Sequence, residues 1–271
     1  MEPKLSMWTS FFIDLSPEQT LGELAAAGWH YAELSDEHGH ALLERGAPEA
    51  IGREFRAAAD AAGVAIEQGH LWLTVDIAPP EESRRQETVA ELRRWLDLYL
   101  AIGIPAAVLH PGGAHQPDPA ARRAAQLRSL HELTEHIQGT DVSLCLENCS
   151  SGRDLEPLLA ETDPRHVGVC LDTGHLNLTD ENQAAFIRAC GPRLRALHLA
   201  ENDTTADQHN MPYARGGCVP WPDIAVALDH IGYKGLLNFE IPGENRCPLP
   251  VRRLKLAYLK PLATWIFGGD G

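Results

Sequence analysis

Seven short apolar runs in this chain each end on a residue able to bind a metal or move a proton. They are YAEL with Glu33, VAIEQGH with His70, AAVLH with His110, VSLCLE with Glu147, VGVCLD with Asp172, LRALHL with His198 and LLNFE with Glu240. The last four carry three carboxylates and one imidazole. An oxygen-rich donor set with a single imidazole suits a hard or borderline divalent cation, Mn2+ first, with Zn2+, Co2+ or Mg2+ as alternatives. Any one polar residue at a strand end has a plainer use, capping the next helix or forming an ion pair. Glu147, Asp172, His198 and Glu240 at one structural level are therefore read together, as the ligands of one metal.

A second group surrounds them. His70 and His110 end the third and fourth runs, His175 follows Asp172 by three residues, and Asp207 and His209 form a D-x-H pair in the longest loop. These five are pocket-lining residues or further ligands; His70, His110 and His175 are also candidate substrate contacts. Trp72 and Arg215 are weaker substrate-contact candidates, and Trp8 is better read as core. His38, His40 and His115 are expected to be exposed loop residues. No G-x-x-x-x-G-K-[ST] loop and no strand-linked G-x-G-x-x-G occurs, so neither a P-loop nor a dinucleotide fingerprint is present.

Apolar runs of this length suit strands buried on both faces, as in a parallel sheet. Strands are expected at about 5–12, 30–35, 64–69, 106–110, 142–147, 167–172, 194–199 and 235–240. Helix-like stretches alternate with them, at about 17–28, 48–62, 81–101, 119–137, 153–161, 180–190, 221–231 and 250–266. Ser16-Pro17 opens the first helix, Gly63 ends the second, and the segment after the second strand reads as a polar loop. Strict alternation over eight units predicts an α/β fold, a single (β/α)8 barrel occupying residues 1–271 as one domain. A doubly wound open sheet would not explain why strand after strand ends in a functional group. In a closed barrel all strand C-termini meet at one face, so distant residues converge there.

Composition narrows the partners. The formal net charge is −15, which argues against loose binding to nucleic acid or to an anionic membrane. Apolar segments are too short and interrupted to span a bilayer, and MEPKLSMWTSFF lacks the pattern of a signal peptide. The six cysteines contain no C-x-x-C pair and read as reduced thiols, so a soluble cytoplasmic protein is expected, with homo-oligomerisation left open.

CLENCS around Glu147, GVCLDTGH around Asp172 and His175, HLAENDTTADQH…GG from His198, and NFEIPG around Glu240 resemble the xylose isomerase-like barrel superfamily. That group includes sugar isomerases and epimerases, inosose dehydratases and endonuclease IV-type nucleases. In the epimerase branch the resemblance implies that Glu147, Asp172, His198 and Glu240 hold one divalent metal. It further implies that Glu147 and Glu240 are the acid/base pair and that His175 contacts substrate. In the nuclease branch it implies three zinc ions on His70, His110, Glu147, Asp172, His175, His198, Asp207, His209 and Glu240. The acidic chain, including the net acidic loop SDEHGHALLERGAPE, favours a small sugar-like substrate. On that reading the metal polarises a ketose or related hydroxy-carbonyl. One glutamate removes the proton beside the carbonyl and the other returns one to the enediolate. Return to the opposite face gives epimerisation, return to the adjacent carbon isomerisation, and loss of hydroxyl dehydration.

Overall fold

The strands fall where the apolar runs end on chemistry: β1 Leu5–Trp8, β2 Tyr31–Leu34, β3 Ala65–His70, β4 Ala106–Leu109, β5 Ser143–Glu147, β6 Val167–Asp172, β7 Leu194–His198 and β8 Leu237–Phe239. The computed structural model describes residues 3–149, 151–243 and 245–268, without the side chain of Arg215. All strand pairs are parallel, in the order β7-β6-β5-β4-β3-β2-β1-β8. Just past β7, Leu199 bridges Phe239 of β8, with Leu199 N donating to Asn238 O at 2.8 Å. That short contact joins the two sheet edges, and the fold is a single (β/α)8 barrel.

Helices α1 Pro17–Ala26, α2 Asp36–Leu43, α3 Pro48–Ala62, α4 Glu82–Ile102, α5 Pro119–His136, α6 Glu156–Ala160, α7 Thr173–Asn177, α8 Gln183–Cys190, α9 Trp221–His230 and α10 Leu249–Phe267 fill the connections. Local chemistry sets several ends. Ser16 and Gln19 form a reciprocal capping box at α1. Gly63 stops α3 in the left-handed region, at φ 70°.

Three expectations needed correction. The first strand ends at Trp8, and Thr9–Phe12 is a buried 3-10 turn. The expected polar loop after β2 contains α2, whose N-cap Ser35 accepts from His38 N at 3.3 Å. His38 is accordingly buried, with Nε2 donating to Leu15 O at 3.2 Å, rather than exposed. Between β6 and α8, where no helix was expected, α7 starts on Asp172 itself.

The barrel has two apolar layers. A small inner cluster of Ala106, Val108, Cys145, Cys170 and Ala196 is separate from the large core between strands and helices. Side chains alternate across a strand, so the residue two positions beyond an inner one also faces inward. This period carries Val108 to His110, Cys145 to Glu147, Cys170 to Asp172 and Ala196 to His198. The inner layer thus changes from small and apolar to ionisable at the strand ends. Cys145 and Cys170 lie buried there, and all six cysteines are free. Among the described residues no helix is long and apolar enough to cross a membrane.

Candidate metal centre

Glu147, Asp172, His198 and Glu240 each place one donor atom so that all four lie within 4.8 Å of one another. All four side chains are buried, Asp172 and His198 completely. The local backbone is held on both sides of the cluster. Asn148 brackets the end of β6, its Oδ1 accepting from Asp172 N at 2.8 Å and its Nδ2 donating to Asp172 O at 3.0 Å. Thr173 Oγ1 ties α7 to the chain beyond β7 by donating to Ala200 O at 2.8 Å. At β3, Tyr99 of α4 donates its hydroxyl to His70 O at 2.6 Å. Gly69 permits that approach, because a Cβ there would meet Tyr99 Cζ at 2.7 Å.

Two orphaned atoms test whether these residues suit a cation. Asp172 Oδ1 caps α7 by accepting from His175 N at 2.6 Å, while buried Oδ2 has no partner. His198 Nε2 lies 3.0 Å from Glu33 Oε1, an acceptor, which places the ring proton on Nε2. His198 Nδ1 then points a lone pair at Oε2 of both Glu147 and Glu240, each 3.3 Å away, with no hydrogen bond. With Nδ1 unprotonated, three electron-rich atoms would face one another. A cation satisfies that arrangement, and a carboxylate-oriented histidine is a usual support for one. The donor set fits a divalent ion.

The electrostatics make the same demand. Burial opposes charge on His198, yet the carboxylates of Glu240, Glu33 and Glu147 hold its pKa well above the ordinary value. His70 is likewise pushed up to about 9 against its own burial, chiefly by Glu147. His175 rises to about 11 against burial through Asp172, Asp207 and Glu147, and His209 to about 10 through Asp207 and Glu240. The cluster takes up positive charge, as protons when no metal is bound. The two glutamates diverge. Burial would raise Glu147, but His198, His110 and His175 hold it well below the carboxylate range. Burial and the charge of Glu147 push Glu240 up to about 8.

The second group gathers around the first. His70 Nε2 and His110 Nε2 lie 3.3 and 3.4 Å from Glu147 Oε2, and His175 Nδ1 lies 3.2 Å from Glu147 Oε1. Asp207 bridges His175 and His209 at 3.0 and 3.1 Å, and His209 Nδ1 lies 3.4 Å from Glu240 Oε2. Further donor triads result, among them His70–His110–Glu147 and Asp172–His175–His209. Trp72 is not drawn in. Its ring stacks on His40 at 4.2 Å and tilts against Trp95, contacts with α2 and α4. Arg215 lies in the 3-10 turn Ala214–Gly216, and its side chain is outside the described residues.

Glu33 is the residue that sequence reasoning undervalued. It ends β2 with no exposure and receives His198 on one oxygen and Asn238 Nδ2 on the other. Its place at a strand end was visible; its service to His198 depends on barrel closure. Glu201 was not singled out at all. It is buried and accepts from Trp221 Nε1, Val219 N and Tyr213 N at 2.8, 3.0 and 3.2 Å, clasping the loop that bears Asp207 and His209.

Comparison with known proteins adds four findings. A family described as "Xylose isomerase-like TIM barrel" matches residues 21–262. A D-psicose 3-epimerase of Enterocloster bolteae is 33% identical over 134 residues, 45% of this chain and 41% of that protein. A "Probable endonuclease 4" of Nitratidesulfovibrio vulgaris is 30% identical over 115 residues, 39% of this chain and 41% of that protein. The chain thus spans less than half the length of either curated relative. Over its whole length the fold resembles that of a D-psicose 3-epimerase crystallised in the presence of D-fructose. The TM-score is 0.83 at 18% identity, covering 98% of this chain and 100% of the other.

Proposed function

From the premise that the chain belongs to the xylose isomerase-like TIM barrel family, we propose that it is a divalent-metal-dependent isomerase or epimerase of a ketose or related hydroxy-carbonyl. The observation that carries this reading is the pair Glu147 and Glu240, each with Oε2 3.3 Å from His198 Nδ1 and, with no metal bound, shifted in opposite directions in pKa. Paired carboxylates with separated pKa values mark an acid and a base. Glu147, Asp172, His198 and Glu240 would hold the ion, Mn2+ first. When bound, the ion supplies Lewis acidity to the carbonyl and the neighbouring hydroxyl.

This chain's residues do the rest. Glu147, held ionised, takes the proton beside the carbonyl on a carboxylate oxygen. Glu240 returns a proton to the resulting enediolate; in the reverse direction the two exchange roles. His175, 3.2 Å from Glu147 and tied to Asp207, stands where it orients the substrate's hydroxyls. Burial shields both carboxylates from bulk water during the transfer, and each regains its protonation state from solvent between turnovers.

The nuclease reading, trinuclear-zinc phosphodiester hydrolysis, is favoured by one observation, the additional donor triads. Metal analysis separates the two. Protein purified without chelator should carry one divalent ion per chain, and Asp172→Ala should lose most of it, because the orphaned Oδ2 has no substitute. Full occupancy in that variant rejects the ligand assignment. Three zinc ions in the wild type, with nicking of abasic DNA, would replace the sugar reading.

A further inference from the structure

A cation near the centre has no partner among the described residues. A cavity of about 590 Å3 opens between the β4–α5 and β5–α6 connections, and both Glu147 and His110 line it. Its wall also carries Arg122, Arg123 and Arg153. Two of these are neutralised: Arg123 pairs with Glu161 at 2.9 Å and Arg153 with Asp180 at 3.2 Å, all four side chains largely exposed. Arg122 differs. It is partly buried, and among the described residues its guanidinium makes no hydrogen bond or ion pair.

The loop before it is shaped to seat that side chain. Gly113, at φ 84°, faces the Arg122 stem so closely that a Cβ would meet Cγ at 2.5 Å and Cδ at 2.7 Å. Gly113 N is held by Asp76 Oδ1 at 2.6 Å, and Gln126 Nε2 donates to Pro111 O at 2.9 Å and Gly112 O at 3.1 Å. A clamped loop thus steers an unpaired guanidinium along the wall of a cavity that reaches a proposed catalytic carboxylate. Such a group is an anion receptor, since its planar fork matches carboxylate or phosphate oxygens.

Resting on the ketose reading above, the geometry points to a substrate that carries an anionic group, a phosphate or a carboxylate, away from the reacting carbon, with Arg122 as the residue that selects it. A neutral sugar would leave the arginine unused.

The test is calorimetric titration of Mn2+-loaded protein with a ketose phosphate, the matching ketose acid and the neutral ketose. Wild type should bind at least one anionic ligand about tenfold or more tightly than the neutral one, a usual gain for a charge-assisted bond. Arg122→Met should remove that preference while leaving neutral-ketose affinity within about twofold, and Arg122→Lys should restore part of it. The phosphate and acid arms identify which anion is meant. No preference in wild type, its survival in Arg122→Met, or equal weakening of all three ligands overturns the proposal. Solvent deuterium exchange, run in parallel, keeps the two readings apart. A preference that depends on Arg122 without exchange on any ligand sinks the ketose chemistry and leaves the anion subsite standing. Exchange on the neutral ketose without any preference sinks the subsite alone.

Discussion

At the scale of single residues, one donor of the cluster is oriented by a side chain that stands outside it. Glu33 fixes His198 with Nε2 protonated and Nδ1 free. Glu33→Gln removes the charge behind the imidazole and allows the ring to take the other tautomer. Metal affinity should fall by about 10–100-fold, the usual cost of losing such a support, as read by competition with a chelating dye. Unchanged affinity would show that Glu33 only fills space. The residues of the cluster were legible because each closes an apolar run. Glu33 was visible at its strand end, but its partner was not, since His198 lies 165 positions away and meets it only across the barrel.

At the scale of elements, the misread segments share a cause. The stretch DEHGHALL is short and polar, so it lacks the apolar stripe that announces a helix, and its Ser35 cap was the only local sign of α2. His38 became buried because α2 lays it against Leu15 O, a tertiary contact. Burial lowers its pKa below the ordinary 6.5. Its contribution to stability is therefore full above pH 6.5 and is lost as pH falls below that value, where the unfolded chain binds the proton first. His38→Gln should flatten the decline of stability between about pH 6.5 and 5, measured by urea unfolding relative to wild type. A parallel decline in both proteins would contradict this. Gly216 and Gly217 each meet a backbone requirement of the long loop. Gly216 has φ 70°, and a Cβ on Gly217 would lie 2.1 Å from Glu201 Cδ. Gly217→Ala should destabilise the protein by about 1–3 kcal/mol, the usual cost of overpacking, in thermal unfolding. No loss would mean that the Glu201 clasp yields freely.

At the scale of the whole molecule, eight alternating units were enough to anticipate the barrel, because parallel strands with helical crossovers bury both sheet faces. The closing step was not readable in detail: β8 spans only Leu237–Phe239, and the β7–β8 seam rests on the Leu199–Phe239 bridge. Closure also brings Glu240 to Glu147, from the other side of the ring. The strongly acidic chain, at −15, gathers further carboxylates at one mouth, which a bound cation offsets.

Proton transfer between those two glutamates leaves its mark in solvent exchange. A ketose substrate is incubated with saturating Mn2+ in deuterium oxide, and label beside the carbonyl is followed by NMR in wild type, Glu147→Gln and Glu240→Gln. An amide keeps the shape of the carboxylate but cannot carry the proton, so each variant should lose about 10²–10⁴-fold in rate while substrate affinity falls much less. Wild type should wash deuterium in and neither variant should do so at a comparable rate. Rapid exchange in either variant, or none in wild type with any ketose tested, would contradict the account.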